Sequence, residues 1–90
     1  MTISEESRKA KVVASRVSPG QFPGEFFVQL KTVNGIVGAY FPSNSVDELS
    51  QSIQVIIITK DRNNYLVNLP ACTLSTGSRA WFSEELVTEE

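Results

Sequence analysis

From Lys9 onward, apolar and polar residues alternate in short runs, and each run closes on glycine, proline, asparagine or aspartate. A period of two places successive side chains on opposite faces of a strand, so this pattern predicts strands rather than helices. The first run covers residues 9–17 and stops at Ser18-Pro19-Gly20. A structured loop follows, with Phe22 at its middle and a second Pro-Gly pair, Pro23-Gly24.

Residues 25–33 and 36–42 form the next two predicted strands, joined at Asn34-Gly35. That dipeptide is the strongest hairpin signal in the chain, because a type I′ turn needs positive φ at both central residues. Such a turn pairs Val33 with Ile36, and the rest of the register follows. One face then carries Phe26, Val28, Leu30 and Thr32 opposite Val37, Ala39 and Phe41. The other carries Phe27, Gln29, Lys31 and Val33 opposite Ile36, Gly38, Tyr40 and Pro42. The first set is almost wholly apolar and is the expected core face. The second is mixed and is expected to face outward, with Phe27 and Tyr40 as diagonal neighbours.

Further along, Ser45-Val46-Asp47-Glu48 fits a capping box and predicts a single helical turn. The fourth strand, 51–60, contains Val55-Ile56-Ile57-Ile58, whose unbroken apolar run predicts a central strand covered on both faces. A turn at 61–64 leads to a fifth strand over 65–70. A polar loop over 71–78 precedes a short sixth strand at 79–82 and a 3₁₀ turn over 83–86, with Val87 as the last core contact. The polar ends, 1–7 and 88–90, are expected as flexible tails on a single domain spanning 8–87.

Five or six short, mostly antiparallel strands with one short helical turn predict an all-β domain. The arrangement resembles a small SH3-like barrel, and less closely an OB-like one. That resemblance is topological, covers about residues 9–87, and rests on strand count and turn positions.

Composition narrows the class. Ninety residues make one core, and 41% apolar with 20% charged residues fit a globular chain. The single cysteine, Cys72, excludes an internal disulfide, and the polar start carries no apolar leader, so a cytoplasmic protein is expected. No run approaches the length of a membrane-spanning helix. There is no histidine, which removes the commonest general base and the commonest transition-metal ligand. Cys72 therefore lacks a histidine to activate it, and carboxylate pairs such as Glu84-Glu85 sit at element ends. No enzyme activity, cofactor or metal is expected.

What remains is the surface. Tyr40-Phe41 and Trp81-Phe82 are adjacent aromatics in strands, so one of each pair must leave the core. Phe27, Tyr40, Pro42 and Trp81 are accordingly the candidate partner-binding residues of a non-enzymatic protein-interaction module or small accessory subunit. Their occupant would be a protein partner or a second copy of the chain (a possible homodimer). Cover by the Phe22 loop or by the turn at 46–49 is the plainer alternative. A second reading is a single-stranded nucleic-acid-binding barrel in which Arg8, Lys9, Lys11 and Arg16 meet phosphates and the outward rings stack on bases. The net charge of −2 weighs against it. A third is a small ligand-binding regulatory barrel, its ligand at one open end. The hydroxyl-rich loop over 73–79 has a glycine and an arginine, as an anion-cradling loop would, but not the P-loop spacing.

Overall fold

The computed structural model describes residues 8–73 and 77–89. Nine strands follow in chain order: β1 (Arg8–Val13), β2 (Arg16–Pro19), β3 (Glu25–Thr32), β4 (Gly35–Pro42), β5 (Val46–Asp47), β6 (Ser52–Asp61), β7 (Asn64–Thr73), β8 (Gly77–Ser83) and β9 (Val87–Glu89). All pairings are antiparallel. The larger sheet has the order β8-β7-β6-β1-β9, with β5 also against β6, and the smaller sheet has the order β2-β3-β4. Two 3₁₀ turns, Ser43–Ser45 and Glu84–Leu86, are the remaining elements among the described residues, none of which form a helix long and apolar enough to cross a membrane.

The first expected strand is in fact two strands, one in each sheet. The chain changes sheets at Ala14 and Ser15, whose N–H groups donate to Gln51 O and Gln29 O, each at 2.8 Å. The cause is a break in alternation. Ala10, Val12 and Ala14 point into the core in step, whereas the next core-facing residue, Val17, is one position out of step. A single flat strand would have left Ala14 or Val17 on the wrong face.

The hairpin turn also differs from expectation. Thr32 pairs with Gly35, Phe27 with Tyr40 and Phe26 with Phe41, so the turn is Val33-Asn34. Gly35 alone has positive φ here, at 128°, which excludes a type I′ turn at Asn34-Gly35. The Thr32 hydroxyl sets the alternative: it donates to Gly35 O at 2.7 Å and accepts from Asn34 N–H at 3.1 Å. Every residue therefore meets a partner two positions from the expected one. An even slip keeps each side chain on its face, and the expected core set of Val28, Leu30, Val37, Ala39 and Phe41 is buried.

The capping box does not form. A 3₁₀ turn ends at Ser45, whose buried hydroxyl donates to Pro42 O at 2.8 Å, and Val46–Asp47 pair with β6. Asp47 Oδ1 instead accepts from the N–H groups of Leu49 and Ser50, at 3.0 and 3.4 Å. This aspartate turn competes with a helical turn for the same backbone donors, and it wins because the segment before it is held in the sheet.

β6 is central as expected, but its outward Ile56 and Ile58 are only half-buried, so one face alone is fully covered. The expected polar loop at 71–78 is shorter, since β7 runs to Thr73 and β8 starts at Gly77. The 3₁₀ turn at Glu84–Leu86 falls where it was expected, and Val87 packs on the core. Strand structure continues through Glu89, into the stretch expected as a tail. Glu89 fixes it there, meeting Arg8 Nη1 at 2.7 Å and accepting from the Tyr65 hydroxyl at 2.9 Å. The expected tail at 1–7 lies outside the described residues.

Phe41, Phe82, Leu30, Ile53, Ile57, Val12, Val28 and Val67 are the largest fully buried side chains and fill the space between the sheets. At the hairpin tip, Val33 N–H donates to Trp81 O at 3.0 Å, which ties β3 to the β8 edge of the larger sheet. Among the described residues that junction is a single hydrogen bond, not a ladder.

Candidate functional site

The outer face of the smaller sheet is built by the residues that the core does not use. Phe27 and Tyr40 lie directly across from one another on β3 and β4, with ring centroids 5.2 Å apart and planes inclined at 58°. A tilted pair sets the positive edge of one ring against the negative face of the other. Tyr40 is 44% exposed, and Phe27 is half-buried. Part of the cover on Phe27 comes from Gly38, because a Cβ there would fall 2.8 Å from Phe27 Cζ. The ring tip occupies the space that a side chain would fill. A glycine inside a strand, here Gly38, is the sequence signal for such a close approach.

Around the rings the face is ordered along the strand direction. Pro42, exposed, follows Tyr40 on the same side and pairs with Glu25. The Glu25 carboxylate accepts from Phe22 N–H at 3.2 Å, which fixes the loop between β2 and β3. In the other direction Arg16 pairs with Gln29, and Lys31 pairs with Ile36. Ile36 is 66% exposed. Neither expected cover closes over the rings, because Phe22 is 68% exposed and Leu49 is 99% exposed.

Trp81 does not belong to this patch. It sits on β8 opposite Leu66, half-buried, while Phe82 takes the core position. Its carbonyl meets the hairpin at Val33, just past β3 and about 20 Å along the strand from Phe27 at ~3.3 Å per residue. Phe27, Tyr40 and Pro42 are brought together, and Trp81 is set apart because β8 belongs to the other sheet.

The basic residues are divided in the same way. Arg8 is paired with Glu89, and Lys11 Nζ lies 3.4 Å from Asp47 Oδ2. Lys9 and Lys11 alternate with buried Ala10 and Val12, so they face outward on the larger sheet. Arg16 alone of the four expected residues shares the aromatic face. Alternation along β1 separates Arg8 from Lys9 and Lys11, as the sequence pattern implies, and the sheet change at Ala14 and Ser15 separates Arg16 from all three. Asp47 is held below the ordinary carboxylate range, chiefly by hydrogen bonding from Ser50, with smaller contributions from Lys11 and Leu49 N–H.

A second feature lies where β7 parts from β6. Their pairing ends at Asn68 and Ile56, and β5 covers β6 only at Ser52 and Ile53. Pro70 has no N–H with which to continue the ladder. The result is a mostly apolar groove of about 280 Å³, with Lys9, Gln54, Ile56, Asn68 and Pro70 in its lining. Among the described residues no group of three His, Cys, Asp or Glu side chains is placed to hold a metal. The hydroxyl-rich stretch at 73–79 falls partly outside the described residues. No family model, curated protein or solved structure matches the chain.

Proposed function

We propose, from the site alone, that this domain is a non-enzymatic protein-interaction module or small accessory subunit, working in the cytoplasm through the outer face of β2-β3-β4. The observation that carries the reading is the Phe27–Tyr40 pair, displayed on an open sheet face with neither neighbouring loop drawn over it. Burying such a ring is worth about 1.5–3 kcal/mol, so a partner seated here recovers stabilisation that the isolated chain forgoes. We read the two sheets as a barrel of SH3-like before OB-like type, with the Val33–Trp81 hydrogen bond in support as a closing contact.

The test is a double variant, Phe27→Ser with Tyr40→Ser, beside the wild type. It should keep the far-UV spectrum and lose whatever the wild type retains from its native extract or forms with itself on sizing at two concentrations. Retention of the same partner by the variant would end the reading. The groove beside Lys9 and Pro70 favours a second reading, a small ligand-binding regulatory barrel. Fragment screening that moves the Gln54 and Asn68 side-chain amide signals, and leaves Tyr40 unmoved, would select that reading instead.

A further inference from the structure

We infer that the face around Phe27 and Tyr40 takes an acidic peptide segment in extended form, with an apolar side chain on the rings and carboxylates on Arg16 and Lys31. The inference rests on the interaction reading above and names the chemistry of the partner. Three observations carry it.

The first is charge. The chain as a whole is net −2, yet this face holds two cations, Arg16 and Lys31, against one carboxylate, Glu25. Glu25 is already engaged by Phe22 N–H, and neither cation has a carboxylate partner among the described residues. Elsewhere among the described residues Arg8, Lys11 and Lys60 each have a carboxylate in reach, and Lys9, Arg62 and Arg79 do not.

The second is spacing. The Phe27–Tyr40 pair, the Arg16–Gln29 pair and the Lys31–Ile36 pair succeed one another at two-residue steps along β3. Same-face residues of a strand are separated by about 6.6 Å, so a peptide in strand form presents side chains at the same interval. An apolar residue on the rings therefore brings its i+2 and i+4 neighbours to Arg16 and Lys31. Between Tyr40 and Ile36 the bare backbone of Gly38 lies under the tip of the Phe27 ring, so the apolar surface of the pair extends toward Ile36.

The third is the number of cations, which separates a peptide from its rivals. Single-stranded nucleic acid gains mainly from neutralising phosphates, and two contacts give a salt slope of only about −1.4. That is a weak hold for a polyanion on a chain that is itself negative. A second copy, laid face to face, would bring four cations together against two carboxylates, each already accepting from Phe22 N–H. One or two carboxylates beside an apolar residue match what the face offers.

The experiment selects 12-residue peptides from a random display library on the immobilised full chain. Three proteins are compared: wild type, the Arg16→Glu/Lys31→Glu variant, and the Phe27→Ser/Tyr40→Ser variant, each checked by thermal melt. Wild type should enrich peptides with Asp or Glu two to four residues from an aromatic or branched apolar residue. The charge-reversed variant should bind those peptides at least tenfold more weakly and enrich Lys or Arg at the same positions. The ring variant should enrich none. Enrichment without acidic bias, or unmoved by charge reversal, would overturn the inference and leave the aromatic surface standing. Enrichment unmoved by the ring variant, or no enrichment on wild type, would overturn both. Labelled twelve-nucleotide oligo-dT retained by wild type and lost by the ring variant would assign the face to nucleic acid, against the inference.

Discussion

The two faces of the β3–β4 hairpin share one backbone and one register, yet they have opposite fates. Phe41 is fully buried between the sheets, while its chain neighbour Tyr40 is 44% exposed. On the inner face Val28, Leu30, Val37 and Ala39 complete a core to which β6 and β7 contribute Ile53, Ile57 and Val67. On the outer face the two rings pack on each other, and the tip of Phe27 lies over the bare backbone at Gly38. Aromatic content alone does not mark a site. What marks it is an aromatic pair on the side of a ribbon that no element among the described residues covers.

The sharpest contrast is between neighbours. Phe41→Ala should destabilise by about 3–5 kcal/mol, since it opens a cavity among fully buried side chains. Tyr40→Ala should lose about 1 kcal/mol or less, because its ring is already half in water. Denaturant midpoints of the two variants settle it, and equal losses would mean that the hairpin has a core on both sides.

Next comes the turn that keeps the faces in register. Gly35→Val should destabilise by about 1 kcal/mol or more through its positive φ, since the added Cβ meets nothing within 4 Å. An unchanged midpoint would show that the turn relaxes freely and would remove the basis of the face assignment.

Gly38→Ala tests the outer face from beneath. Its Cβ would collide with the tip of the Phe27 ring, which must swing aside at roughly 0.5–1.5 kcal/mol for the altered rotamer. The ring signals of Phe27 and Tyr40 should shift as their stacking changes, with the core methyl signals in place. Movement of the core methyls as well would show that the two faces are not independent.

The smallest effect serves as a control on the other sheet. The Asp47 carboxyl is held below its unfolded range, so it contributes stability at neutral pH that is lost as pH falls through the lowered folded-state value. Asp47→Asn should lower the neutral-pH midpoint slightly and flatten the acid limb of the stability curve. A steeper acid limb in the variant would reverse the assigned sign.

How far the sequence reached follows the same division. Alternation made the inward set of β3 and β4 readable even though the turn was misplaced, because an even slip preserves faces. The turn itself was hidden in a side chain: the Thr32 hydroxyl, not the Asn34-Gly35 backbone preference, chooses the register. The break between β1 and β2 left a trace in the half-step between Ala14 and Val17, in a run whose β-branched residues otherwise read as continuous. Periodicity alone puts Arg16 on one strand with Arg8, Lys9 and Lys11, and Trp81 among rings whose sheet it does not share. Composition and periodicity say which residues leave the core; only pairing between distant strands says which of them meet.

The crossing at Ala14 and Ser15 has a mechanical meaning. Two adjacent amides are clamped to carbonyls in different layers, one to Gln51 and the next to Gln29, with no loop between them to take up slack. A sheet pulled by a ligand on β2 therefore tugs directly on β1, and through it on the central strand β6. The two layers should thus open together, and hydrogen exchange should show the slowest amide protons of both sharing a single opening event.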